Sequence, residues 1–336
     1  MSNLYSDIDF NNKKILITGG AGFIGSNIAF YLQHNYPDAQ IVVFDRFQSE
    51  ERFPSGNYTG LGHFKNLVGF KGETIAGNII NSDDLKLLTS IKWDYIFHQA
   101  AISDTTVTDQ ALVIKTNANS LNFFINLALK NNAHLVYASS AGTYGNSPSP
   151  NKVGFRELPE NVYGFSKLMM DNMLLKNLKT HPELKITGLR YFNVYGNREF
   201  YKGKTASMIL QLGLQILNGN KPRLFKHGEQ SRDFVFVDDV VQANIKAIDK
   251  PSGIYNVGSG ISRTFNDIVS ILSRNLSKPV DIEYFDNPYT FYQNNTCADI
   301  ASTLALLGYQ PTFTLEQGIA GYTAEIIQIH KQLNNG

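Results

Sequence analysis

Residues 14–35 run from a short apolar strand, Lys14–Thr18, into Gly19-x-x-Gly22-x-x-Gly25 and then an apolar helical pattern over Phe23–Asn35. This junction constrains the fold more than any other feature, because strand, tight turn and helix in that order open a βαβ unit. Each glycine has its own physical reason. Gly19 permits the tight turn, Gly22 lets backbone N–H groups approach a pyrophosphate, and Gly25 lets the helix lie close on the strand. The helix N-terminus, with Phe23 and Ile24 in its first turn, then presents its positive dipole end to the phosphates. A dinucleotide is the natural ligand. A glycine-rich turn that serves packing alone is the bland alternative.

The first half continues the alternation. Strands are expected at Gln40–Phe44, Glu73–Ala76 (weaker), Trp93–His98 and His134–Ala138, with helices at Ser82–Ser90 and Gln110–Asn131. A further unit has helix Tyr163–Leu178 and strand Lys185–Arg190. Helical stretches between β-rich apolar runs predict a parallel sheet, here an α/β fold with a Rossmann-type doubly wound sheet and a smaller α/β substrate domain at the C-terminal end. The expected division is an arm over residues 1–12, a dinucleotide domain over 13–195 with returning segments near 230–260, and a mainly substrate-binding part over 196–333. In the last part, helices are expected at Thr205–Leu217, Asp238–Asp249, Thr264–Leu276, Asp299–Leu307 and Leu315–Leu333, with strands at Arg223–Phe225, Arg232–Val237 and Gly253–Val257. The segment Arg46–Phe70 reads as a long irregular loop, a length more often functional than idle.

Composition removes several classes. Of 336 residues, 43% are hydrophobic and the formal net charge is +1. That is ordinary globular chemistry without the basic footprint of a nucleic-acid binder. No apolar run approaches the ~18 residues of a membrane span. The first residues lack the basic and apolar regions of a signal peptide. One cysteine, Cys297, leaves no intrachain disulfide, so a reducing, cytoplasmic setting is expected. No metal site is expected.

Asp45 ends the second strand, twenty residues after Gly25. An acid there bonds the adenosine ribose and favours NAD, whereas Arg46 beside it can pair with a 2′-phosphate and favours NADP. The two cues conflict. Asn78 and Ile79 follow the third strand. Gln99, Ala100, Ala101 and Ser103 follow the fourth, at the strand edge where open α/β sheets bind ligands. Asn117 sits inside a helix that its type mildly disfavours, which suggests a tertiary task; a capping or surface role fits as well.

Tyr163 and Lys167 lie four residues apart on a helix and share one face. A phenol of pKa ~10 is a poor base at neutral pH, and a nearby ammonium favours the phenolate. Ser140, 23 residues before Tyr163, can hydrogen-bond the oxygen whose proton Tyr163 takes.

The glycine turn, Asp45, His98-Gln99-Ala100-Ala101, Ser140 and the Tyr163/Lys167 pair together resemble the extended short-chain dehydrogenase/reductase family over nearly the whole chain. The resemblance implies a tightly held NAD(P), hydride transfer and a nucleotide-sugar substrate. Ala141-Gly142 after Ser140 argues against dehydration, which needs an acid there. The continuation Arg198-Glu199-x-x-Lys202-Gly203-x-x-Ala206-Ser207 is similar to the ADP-glycero-manno-heptose 6-epimerase branch. That likeness implies an ADP-heptose substrate, NADP (with NAD possible), a homo-oligomer and a second acid/base at Lys202. Read from the residues alone, Lys202 is a surface lysine. The resemblance further implies that Val194 and Lys202 contact cofactor. Substrate contacts fall on Ser140, Asn193, Lys204, Gln211, Phe225, Arg232 and Tyr292, with Arg232 suited to a diphosphate. Two departures are Asn197, where relatives have Pro, and Arg46, where they often have Asn. A UDP-hexose 4-epimerase with the same triad, or a catalytically inert dinucleotide sensor, are the competing expectations.

Overall fold

The structure, a computed structural model, describes residues 5–286 and 294–334. In chain order the first half holds β1 (Lys14–Thr18), α1 (Phe23–Asn35), β2 (Gln40–Asp45), β3 (Glu73–Ala76), α2 (Ser82–Thr89), β4 (Tyr95–His98), α3 (Gln110–Val113), α4 (Leu121–Asn131), β5 (His134–Ser140), α5 (Val162–Thr180) and β6 (Ile186–Tyr191). The second half holds β7 (Asn193–Tyr195), α6 (Met208–Leu217), β8 (Arg223–Phe225), β9 (Ser231–Phe236), α7 (Val237–Lys246), β10 (Gly253–Val257), β11 (Ser262–Thr264), α8 (Phe265–Asn275), β12 (Glu283–Phe285), α9 (Ala301–Leu307) and α10 (Leu315–Asn334).

Seven strands form one sheet in the order β10-β6-β5-β4-β1-β2-β3, and every neighbouring pair is parallel. The fold is a doubly wound α/β sheet. Its central strands are buried along almost their whole length, so their sequences read as continuous apolar runs rather than alternations. One apolar layer joins Ile28, Val43, Phe97 and Val240, and the other joins Leu16, Leu88, Phe124 and Leu174. Strand order reverses at β1, which lies between β2 and β4. A crevice opens there at the carboxyl ends of the strands.

The chain returns to this layer late. α7 contributes Val240 and Val241 to the apolar layer that includes Ile28 of α1, and β10 forms the outer edge of the sheet beside β6. The remaining C-terminal elements make a third apolar cluster, with Leu212, Ile268, Leu272, Ile319 and Ile326 at its centre. Two small sheets, β11-β9-β7 and β12-β8, border it. Among the described residues no helix is long and apolar enough to cross a membrane.

Several expected boundaries move for local reasons. The helix expected over Gln110–Asn131 is a continuous helical run, but residues 114–119 widen into a π-turn. The helix expected from Thr205 starts at Met208. The backbone at Gly203 is left-handed (φ 58°), and Ser207 caps α6 by accepting from Leu210 N. Strands β7, β11 and β12 are three residues each, too short for a periodic pattern, and exist through their partners. The arm ahead of β1 is docked: Phe10 is fully buried against Tyr36 and Tyr95, and Tyr5 stacks on Tyr31 at 4.7 Å.

Candidate active site

The crevice at the strand-order reversal is lined by Gly19, Gly22, Phe23, Ile24 and Gly25 from the first turn. Backbone there is packed to its limit. Gly19 has φ +68°, and a Cβ on it would lie 2.7 Å from Ala100 N; one on Gly25 would lie 2.3 Å from Gly19 O. Gly22 is the N-cap of α1 and brings no capping side chain. The first N–H groups of that helix therefore face the crevice, as an anion site requires. Such a cradle fits a pyrophosphate.

Asp45, 6% exposed, closes one end. Its carboxylate accepts from Ala21 N (3.0 Å) and Phe47 N (2.9 Å), and Gly62 packs so closely that a Cβ would touch Oδ1. Burial pushes its pKa up, while the backbone donors and Arg46 oppose that shift. Much of the acceptor capacity expected for a ribose is thus spent on holding the turn. Arg46 lines the same end, with Nη2 2.7 Å from Glu51 Oε2 and 3.1 Å from Thr59 Oγ1. Thr59, Gly60 and Gly62 of the irregular loop line the crevice beside it, positions with no local motif to reveal them. Asn78, Ile79, Gln99, Ala100, Ala101, Ser103 and Val194 complete the wall. Gln99 is fixed by Tyr191 OH (2.9 Å) and Asn244 (3.1 Å).

Asn117 does not line the crevice; its neighbour Thr116 does. The π-turn directs Asn117 into the core, where it is 0% exposed. Its amide bonds both Ile102 N (2.8 Å) and Ile102 O (3.0 Å), and Ser166 Oγ (3.0 Å). The tertiary task is real, but it is to tie the strand-end loop to α5.

Ser140, Tyr163 and Lys167 meet at the other end of the crevice. Asn161 caps α5 by accepting from Gly164 N (2.8 Å). Gly164 lets the helix start press on the turn after β5: a Cβ there would sit 2.3 Å from Gly142 O. Tyr163 is thereby held beside Ser140. Burial raises the phenol's pKa, and a hydrogen bond with Ser140 lowers it. Lys167, 1% exposed, donates to Ala138 O at 2.7 Å. Desolvation lowers its pKa to about 8, opposed by Asp171 one turn further along α5. Asp171, not singled out by the sequence, accepts from Tyr137 OH (2.7 Å), Ser139 Oγ (3.0 Å) and Arg190 Nε (2.7 Å). It locks α5 to the strand that carries Ser140.

Lys202 lines the crevice too, with its amine 5.4 Å from the Phe23 ring centroid. Burial lowers its pKa and Glu199 raises it. The other expected substrate residues do not line this crevice. Asn193 opens β7 between the lining residues Phe192 and Val194. Lys204 is exposed. Gln211 turns back to Ala206 O (2.7 Å), and Phe225 packs edge-on to Phe285. Arg232, 7% exposed, donates to Ser231 O (2.9 Å) and lies 5.9 Å from the Phe265 ring centroid. Tyr292 lies outside the described residues.

Residues 15–258 match the model of the NAD dependent epimerase/dehydratase family. The chain belongs to this family. Membership agrees with the resemblance carried by the motifs. The chain is 35% identical over 327 residues to an ADP-L-glycero-D-manno-heptose-6-epimerase of Brachyspira hyodysenteriae, covering 94% of this chain and 98% of that one. A solved ADP-L-glycero-D-manno-heptose-6-epimerase of Helicobacter pylori is 50% identical, with a TM-score of 0.90 over 96% of this chain and 99% of that one. The Thermotoga maritima UDP-glucose 4-epimerase is 27% identical, with a TM-score of 0.83 over 95% and 99%.

Proposed function

We propose that this family member inverts C6″ of ADP-D-glycero-D-manno-heptose to the L-glycero epimer, with NADP as its resident cofactor. The observation that carries the reading is that Tyr163 and Lys202 line one crevice from separate elements, so two proton-handling groups can serve the two orientations of one carbinol. Likeness to the two heptose epimerases over nearly the full chain supports the substrate.

The glycine turn and α1 N-terminus would hold the pyrophosphate, Arg46 the 2′-phosphate, and Lys167 the nicotinamide ribose. A bound nicotinamide dinucleotide supplies the reversible hydride chemistry. Ser140 orients the C6″ oxygen. Tyr163, its ionisation favoured by the Lys167 ammonium, takes or returns the proton on that oxygen in one orientation. Lys202 does so in the other. Asn193, Lys204, Gln211, Phe225 and Arg232 remain the proposed substrate contacts, with Arg232 for the diphosphate. Arg46 pairs with Glu51 near the surface, and such exposed pairs contribute only about 0–1 kcal/mol; the guanidinium can turn to a phosphate at little cost.

The test supplies purified protein with ADP-D-glycero-D-manno-heptose and, separately, UDP-glucose, and resolves products by anion exchange and NMR. The expected outcome is conversion of the heptose alone. Conversion of UDP-glucose alone would make the chain a 4-epimerase and Lys202 incidental. For the cofactor, Arg46→Ala is expected to weaken NADP binding by about 10-fold or more, the worth of one charge-assisted phosphate contact, while sparing NAD. Equal loss for both would remove Arg46 from cofactor choice.

A further inference from the structure

Arg198 and Glu199 belong to the motif around Lys202, yet the chemistry above leaves them without a task. Glu199 is 0% exposed. Its Oε1 accepts from Ser207 Oγ (2.7 Å) and Gly196 N (3.4 Å), and its Oε2 from Ser207 N (2.8 Å). One carboxylate thus joins both ends of the segment 196–207, and Lys202 lies at its middle. The backbone tightens the same loop: Lys202 N donates to Glu199 O (3.0 Å) and Ala206 N to Gly203 O (3.1 Å). Arg198 ties the loop outward. Its N–H donates to Glu325 Oε1 (2.8 Å), and its guanidinium donates to Asn66 O (2.7 Å) and lies 3.9 Å from the Phe30 ring centroid on α1. The amine of Lys202 is therefore held over Phe23, at the mouth of the nucleotide turn.

A buried carboxylate costs free energy unless its charge is compensated. Burial raises the pKa of Glu199; Lys202 is the first group opposing that shift, ahead of Ser207 and Gly196. The reciprocal influence of Glu199 favours the charged form of Lys202. Other titratable groups near Glu199 are Tyr195 and, on α10, Tyr322 and Glu325. The crevice that Lys202 lines is lined also by Tyr163 and Lys167 on α5, Tyr191 on β6, and Asp45 and Arg46.

We propose that Glu199 is the positioning residue for Lys202, closing the 196–207 loop with its carboxylate and setting a negative charge inside that loop. The inference rests on the reading that Lys202 handles a proton. A simple loop-folding role would hold the segment without touching the proton chemistry.

The experiment measures epimerisation against pH for Glu199→Gln, Glu199→Ala, Glu199→Asp, Ser207→Ala and Lys202→Ala, with circular dichroism and NADP binding as controls for folding. Lys202→Ala epimerising like the parent would remove the reading beneath the inference, whatever Glu199 does. With Lys202→Ala inactive, Glu199→Gln is expected to move the Lys202 limb of the profile to lower pH, because the neutral amide no longer favours the ammonium. Glu199→Ala is expected to lose about 100-fold in rate as well, the scale of a misplaced reacting group. Ser207→Ala and Glu199→Asp keep the charge; both are expected to slow the reaction with the limb in place. An unmoved limb in Glu199→Gln, or parental rates in these Glu199 and Ser207 variants, overturns the proposal. If Glu199→Gln fails to fold, parental rates in folded Ser207→Ala and Glu199→Asp overturn it, and slowed rates with intact NADP binding support it.

Discussion

At the scale of single residues, burial sets the chemistry. Lys167 is almost fully enclosed, and its pKa falls from 10.5 to about 8. The proposed role needs the ammonium, so the turnover limb that belongs to Lys167 is expected to fall as pH rises through about 8. A pH profile flat to pH 10 would contradict that role. Stability responds with the opposite sign. Between about 8 and 10.5 the unfolded chain holds this proton and the folded chain releases it, so this group alone makes folding more favourable as pH rises there. Thermal unfolding across that window, compared with Lys167→Met, isolates the contribution. His98 is a second case: burial and the Lys167 charge depress its pKa to about 3, so it is neutral throughout the working range. It packs 4.2 Å from the Phe124 ring and bonds Thr18 Oγ1 (2.7 Å).

At the scale of elements, close backbone approach carries the geometry. α5 delivers Tyr163 because Gly164 lies against Gly142 O. Gly164→Ala must push the helix start off the Ser140 turn. The expected result is a folded protein with intact nicotinamide-dinucleotide binding and turnover reduced about 100-fold, read from steady-state rates and circular dichroism. The docked arm is the second case. Phe10 fills a fully buried site between Tyr36 and Tyr95; Phe10→Ala is expected to cost about 3–5 kcal/mol, measured by denaturant unfolding. A loss below 1 kcal/mol would mean the arm is dispensable.

At the scale of the whole molecule, local signals and long-range contacts divide what the sequence could reveal. The strand-turn-helix at Lys14–Asn35 and the apolar runs of the central strands are local, and the parallel sheet follows from them. A doubly wound sheet and returning segments near 230–260 are expected from the sequence, but which strand pairs with which, β1 between β2 and β4 and β10 beside β6, depends on contacts between residues far apart that periodicity does not encode. The same division holds in the crevice. Tyr163 and Lys167 share a helical face, legible from spacing alone. Lys202, read from its neighbours, is an ordinary surface lysine; only the family motif marked it. Asp171 left no local trace because its partners lie far away in the chain. Glu199 stands inside the family motif, but nothing in the spacing tells that its carboxylate closes the loop on Gly196 and Ser207. Asn117 shows the converse: its unusual position in a helix pointed to a tertiary task, but not to which wall it would serve.

Whether Tyr163 and Lys202 handle protons for one carbinol from separate elements of one crevice is tested most directly by heptose epimerisation with Tyr163→Phe and Lys202→Ala beside the parent enzyme. Each variant is expected to fold and bind the nicotinamide dinucleotide yet lose at least about 100-fold in rate, a general acid/base contribution. Parental epimerisation by Lys202→Ala would contradict the two-group scheme and leave Tyr163 to serve both orientations.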